Sequence, residues 1–102
     1  MTIIDAPRIV FVDVDDTLLT WKEELAVDSI PVKGPTGKIM LLRPLKKNIQ
    51  QLKLFHLRGF AIVVWSKSGA EWARRAVEIL QLEDHVDVVM PKPDYFIDDK
   101  NA

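Results

Sequence analysis

Two stretches of the chain are apolar almost without interruption. Arg8-Ile-Val-Phe-Val-Asp13 closes on an aspartate, and Phe60-Ala-Ile-Val-Val-Trp-Ser66 closes on a hydroxyl. Strands with no polar alternation suit the centre of a parallel sheet covered by helices on both faces. Val86-Asp-Val-Val-Met90 and Tyr95-Phe-Ile-Asp98 are shorter strand candidates. Between the two long runs, Leu45, Ile49, Leu52 and Phe55 recur at helical spacing, with Pro44 suited to a first turn and Gly59 just past the end. After the second run, Ser68-Gly-Ala-Glu71 has the form of a capping box, and Ala73, Ala76, Val77 and Leu80 mark the buried stripe of another helix. Strand, helix, strand, helix, strand is the signature of an α/β domain.

Residues 19–42 interrupt that alternation. Ser29–Lys33 and Lys38–Leu42 flank Gly34-Pro-Thr-Gly37, which predicts a β-hairpin leaving the sheet soon after the first strand. A second irregularity lies near the other end, where only Pro91–Asp94 separate Met90 from Tyr95. Four residues reach at most about 14 Å, whereas a parallel crossover takes roughly a dozen residues or more. Either Val86–Met90 is not a full strand, the preferred reading, or Tyr95–Asp98 pairs elsewhere, as in a second subunit.

Composition narrows the class. A chain of 102 residues, 48% hydrophobic and 28% charged, can build one core and is not a disordered segment. The absence of cysteine removes disulfides, thiolate metal ligands and a cysteine nucleophile. The longest wholly apolar run, Ala61–Trp65, is far short of a membrane span, and no leader pattern marks the N-terminus, so a cytoplasmic protein without a membrane partner is expected. A net charge of −1 gives no indication of nucleic acid as a partner.

The acids are unevenly placed. Asp13, Asp15 and Asp16 form one knot, and Asp98 and Asp99 a second. In open parallel sheets ligands bind beyond the C-terminal ends of the strands, and Asp13, Ser66 and Asp98 each close an apolar run. If the first and last strands are neighbours, five carboxylates crowd one rim. Like charges about 4 Å apart repel by about 4 kcal/mol at an effective dielectric of 20. A hard divalent cation relieves such crowding, and Mg²⁺ with few carboxylates plus a phosphate is the usual case.

These residues carry a resemblance. Phe11-Val-Asp13-Val-Asp15-Asp16-Thr17-Leu18 resembles the first motif of the haloacid-dehalogenase superfamily, a hydrophobic strand followed by Asp-x-Asp-x-Thr. Val63-Val-Trp65-Ser66 is similar to the second motif, Pro91-Lys92-Pro93 to the third, and Phe96-Ile97-Asp98-Asp99 to the fourth, in the family's order. With only a hairpin after the first motif, the chain resembles a small capless member. The fold this implies is a single domain over residues 1–102: a three-layer, Rossmann-like parallel sheet of about four strands. Helices would cover both faces, and the hairpin of residues 19–42 would form a flap.

The activity implied is Mg²⁺-dependent hydrolysis of a phosphomonoester through an aspartyl-phosphate. In that reading Asp13 is the nucleophile and Asp15 the general acid and base. Ser66 and Lys92 bind the phosphoryl oxygens. The metal takes the Asp13 carboxylate, the Asp15 backbone carbonyl, Asp98 and, through a water, Asp99, while Thr17 braces the loop. Lys67 is the rival for the basic role. The partners implied are a phosphorylated substrate and a second copy of the chain, because the sequence stops soon after Asp99 and a bare sheet edge is expected. Two competing readings are a non-catalytic relative used for binding and a receiver-like phosphoacceptor domain.

Several residues have plainer readings. Ser68 serves as a helix cap, and Trp65 and Trp72 as core or pocket wall. Trp21 could line the mouth of a site. His56 and His85 stand alone, and Arg74-Arg75 is a solvated helix face.

Overall fold

The computed structural model describes residues 3–22, 28–34 and 36–98. In chain order its elements are β1 (Ile9–Asp13), β2 (Leu19–Lys22), β3 (Ile30–Lys33), β4 (Ile39–Pro44), α1 (Lys46–Leu57), β5 (Ala61–Ser66), α2 (Ala70–Ile79), a single 3₁₀ turn (Glu83–His85) and β6 (Val88–Pro91). They form two three-stranded sheets, one parallel in the order β1-β5-β6 and one antiparallel in the order β2-β4-β3. No helix among the described residues is long and apolar enough to cross a membrane.

The parallel sheet sets the positions that matter. Asp13 lies level with Trp65, and Ser66 level with Pro91, so all three strands end on one rim. Moving from β1 to β5 and then to β6, the chain steps in one direction across the sheet. Right-handed crossovers that step the same way put both helices on the same face. The core agrees: Ile62 and Val64 of β5 cluster with Leu52 of α1 and with Trp72, Ala73, Ala76 and Val77 of α2. Residues of the alternate parity, Ile9 and Phe11, are 43% and 50% exposed.

Three expectations are corrected here. Among the described residues, the parallel sheet has three strands and its helices lie on one face. Tyr95–Asp98 is not a strand, whereas residues 88–90 of the disfavoured candidate form one together with Pro91. The four connecting residues fail to carry the chain back, as their reach required, but the strand lost is the later one. And β1, read as central, is an edge: uninterrupted apolarity shows that both faces need cover, not that this chain supplies it.

The hairpin forms where its turn residues place it. Ile30 pairs with Leu42 and Lys33 with Ile39. Gly34 N–H donates to the Lys38 carbonyl at 2.7 Å, and Gly37 takes a left-handed φ of 90°. The pattern missed β2, which pairs with the other edge of β4 from Leu19↔Pro44 to Lys22↔Leu41. Pro44 thus ends a strand and stands before α1, not in its first turn. Arg75 Nη1 donates to the Lys33 carbonyl and ties the hairpin to α2, so only Arg74, paired with Glu71 and Glu78, occupies a purely solvated face.

Candidate active site

The rim is built first by the turn after β1. Asp13 closes the strand, and the Val14 carbonyl then accepts from the N–H groups of Thr17, Leu18 and Leu19 at 3.2, 2.9 and 3.3 Å. This tight turn is pinned from below by Val14, Leu18 and Leu19, all essentially fully buried. Asp16 takes the left-handed region at φ 61°, a conformation that aspartate tolerates better than most residues. Its carboxylate accepts from Thr20 Oγ1 at 3.0 Å. Asp16 is therefore a turn residue, while Asp13 and Asp15 are held at the rim.

Asp15 is half-buried, and its Oδ1 accepts from Trp21 Nε1 at 3.2 Å. Trp21 in turn stacks on buried Trp72 of α2, with ring centroids 5.5 Å apart. The carboxylate is thereby referenced to the core through two indoles. Thr17 sits inside the turn, and its carbonyl accepts from Asn48 Nδ2 of α1 at 2.9 Å.

Opposite stands the end of β5. Ser66 is buried. Its Oγ accepts from Ser68 N–H at 3.0 Å, and its carbonyl accepts from Gly69 N–H and Lys92 N–H at 3.1 and 2.9 Å. A serine hydroxyl that accepts one bond still has its proton to give. Ser68 is not the helix cap: the N-cap of α2 is Gly69, at φ 104°, with no side-chain cap. A left-handed residue at that point is a glycine's conformation.

Lys92 lies just past β6, and its Nζ is 3.2 Å from Asp13 Oδ1 and 3.4 Å from Oδ2, across 79 positions of sequence. Its ammonium is also 5.8 Å from the centre of the Trp65 ring, which packs on Phe11. The rival lysine goes elsewhere, since Lys67 Nζ meets Asp94 at 3.4 Å and both are largely exposed. A partly exposed pair such as Lys92–Asp13 contributes about 1 kcal/mol or less to stability. Its significance is positional: a carboxylate and an ammonium face one space at the strand ends.

Of the late acidic knot, the structure describes Asp98 alone. Asp98 follows the exposed Tyr95–Ile97, and Asp99 lies outside the described residues. Among the described residues no three His, Cys, Asp or Glu side chains come together as a metal-holding group. For Mg²⁺, a hard ion that takes oxygen ligands, one chain offers at this rim the Asp13 carboxylate and the Asp15 carbonyl. The fuller donor set implied by the resemblance does not close within the described part of one chain.

Two contributors escaped the pattern. Asn48, an exposed residue one turn before buried Leu52 on α1, carried no signal that set it apart from the helix's other polar positions. The bond from Trp21 to Asp15 had no sequence signal, because it depends on β2 folding back beside its own turn. His56 and His85, read as isolated, meet edge-on with ring centroids 5.2 Å apart at the other end of the sheet. Compared with known protein families, curated proteins and solved structures, the chain finds no significant match.

Proposed function

We propose that the protein is a phosphomonoester hydrolase working through an aspartyl-phosphate, in the manner of a small capless haloacid-dehalogenase-like enzyme. The observation that carries this is the meeting of Asp13 and Lys92 at the strand ends, 3.2 Å apart, beside the end of β5. A carboxylate at the end of a strand is a nucleophile with its backbone held, and an ammonium beside it binds the phosphoryl oxygens that approach.

In the first step an Asp13 carboxylate oxygen bonds to phosphorus. The bond to the leaving oxygen breaks, with its electron pair going to that oxygen, and protonated Asp15 supplies the proton. In the second step Asp15, now a carboxylate, takes a proton from water as the water oxygen bonds to phosphorus. The bond to Asp13 breaks, phosphate leaves and both carboxyls return to their starting forms. Lys92 balances charge on the phosphoryl group in both steps, and the Ser66 hydroxyl donates to it. Trp21 holds Asp15 in place between its two duties. The cofactor proposed is Mg²⁺, which Asp13, the Asp15 carbonyl, Asp98 and, through a water, Asp99 would hold.

Turnover of a chromogenic aryl phosphate, with Mg²⁺ or with chelator, tests the reading. Mg²⁺-dependent hydrolysis lost in Asp13→Asn and in Asp15→Asn supports it. Hydrolysis that survives Asp13→Asn overturns it. Stable phosphorylation from a small phosphodonor without turnover transfers the site to the phosphoacceptor class.

A further inference from the structure

We infer that the protein binds the phosphorylated end of a single-stranded nucleic acid, with backbone phosphates on Arg43, Lys46 and Lys47 and the terminal phosphate at Asp13. The placement at Asp13 rests on the phosphatase reading; the strand-binding surface stands without it.

The net charge of −1 conceals a partition of the chain. No aspartate or glutamate occurs between Asp28 and Glu71, and eight of the 14 lysines and arginines fall in that interval. The interval carries +8 and the remainder of the chain −9. A one-sided distribution of this kind, and not the net charge, is the electrostatic footprint of a polyanion partner.

Folding keeps these cations at the surface, since all eight are exposed. α1 holds Lys46, Lys47 and Lys53 and no acid, and Arg58 follows as its C-cap. At 1.5 Å per residue the helix is about 18 Å long, enough to face several successive phosphates. Among the described residues none of these four side chains has an ion pair. Lys46 and Lys47 also stand in the first turn, at the positive end of the helix dipole, where a cation is unfavourable. No acid in that turn and no side-chain cap offsets them. The stability of the helix therefore does not account for these lysines, whereas an anion brought from outside does.

Two cavities meet beside α1. One, of about 400 Å³, is lined by Arg43, Lys46 and Lys47, and its single acid among the described residues, Asp28, already pairs with Arg43. The other, of about 240 Å³, begins at Asp13 and Thr17 and continues between β1 and α1 to Phe55. Asn48 lines both cavities, and its amide holds the Thr17 carbonyl in the turn after β1. One side chain thus separates the basic cavity from the space in front of the proposed nucleophile. A strand ending at Asp13 has its next phosphates beside the lysines. The groove offers its last base the apolar wall of Phe11 and Phe55, with the Gln51 amide for the base edge. A paired end keeps its bases stacked inside the helix and gains nothing from that wall.

Fluorescence anisotropy of a short labelled single strand, titrated with the full chain in chelator, reads binding apart from turnover. The expected affinity falls with salt at a log–log slope of about −2 to −3, as three or four phosphate contacts require. The double variant Lys46→Glu, Lys47→Glu, with unchanged circular dichroism, should bind about tenfold more weakly or worse and flatten the slope by about 1.4. Arg74→Gln on the solvated face of α2 should change neither. Turnover reads the end of the strand, with 5′ and 3′ phosphates in separate arms. The double variant should keep wild-type hydrolysis of an aryl phosphate and lose about tenfold in kcat/KM on the phosphorylated strand. Absence of salt-dependent binding, binding indifferent to the two charge reversals, or a duplex or phosphatidylserine vesicles bound as tightly as the single strand would each overturn the strand-binding surface. Aryl phosphate turnover with neither strand end hydrolysed, or an equal loss on both substrates, would overturn the placement at Asp13. A chain that hydrolyses no phosphate ester yet binds the strand through Lys46 and Lys47 removes the phosphatase reading and leaves the surface standing.

Discussion

β1 and β5 are nearly interchangeable as strings of residues and opposite as environments. Ala61–Val64 of β5 are between 0% and 6% exposed, whereas Ile9 and Phe11 of β1 are near half. Both strands carry apolar side chains on both faces, but among the described residues β5 has a neighbour on each side and β1 has one. The difference teaches that an uninterrupted apolar run states a demand for cover and is silent about its source. In β5 the demand is met by the local fold. In β1 it remains open beside Asp13 among the described residues.

Substitutions should separate the two strands. Ile62→Ala in β5 removes a fully buried side chain and should cost about 2–5 kcal/mol in a denaturant titration, while Phe11→Ser in β1 should cost well under half of that. Equal losses would mean that β1 is as enclosed as β5. Next in size is Gly69→Ala at the entry to α2. Nothing lies within 4 Å of an added Cβ, so the whole cost is backbone strain at φ 104°, about 1 kcal/mol or more. A neutral result would show that the turn from Ser66 into α2 is relaxed.

Trp21→Phe keeps an aromatic ring on Trp72 and deletes the donor to Asp15. A net loss of about 1 kcal/mol in stability is expected, with a fall in aryl phosphate turnover several times larger than that of Trp21→Phe-matched controls such as Leu54→Ala on the exposed side of α1. Turnover that follows stability alone would leave Trp21 as packing only. The smallest effect belongs to the hairpin. The Arg43 side chain donates to Asp28 and holds its carboxyl below the ordinary aspartate value. A lowered folded-state value gives stability that is present above the ordinary value and lost as pH falls through the lowered one. Arg43→Met should therefore leave melting at neutral pH almost unchanged and flatten its fall in strong acid. A large loss at neutral pH would show that the Asp28–Arg43 tether does more than an exposed pair can.

Much of the architecture was legible because it is written in periodicity. The runs ending at Asp13 and Ser66 are strands, the stripe from Leu45 to Phe55 is a helix, and Gly34-Pro-Thr-Gly37 turns a hairpin. What was not legible depends on partners distant in sequence. Strand order decides that β1 is an edge, and no local pattern encodes it. Tyr95–Ile97 has strand composition, but the chain leading to it is too short to reach an edge. At the site, the structure brings Lys92 to Asp13 in keeping with motif order, and among the described residues no three His, Cys, Asp or Glu side chains gather as a metal-holding group. Trp21 and Asn48 act through contacts that only the folded hairpin and α1 create.

The central claim is that Asp13 becomes covalently phosphorylated, and acid-quenched protein digested after brief exposure to an aryl phosphate tests it most directly. The account predicts a peptide containing Asp13 that carries one phosphoryl group, labile to hydroxylamine as an acyl phosphate must be, accumulating in Asp15→Asn and missing from Asp13→Asn. A phosphoryl group on any other residue, or hydrolysis that proceeds while Asp13 stays unmodified in every variant, would contradict it.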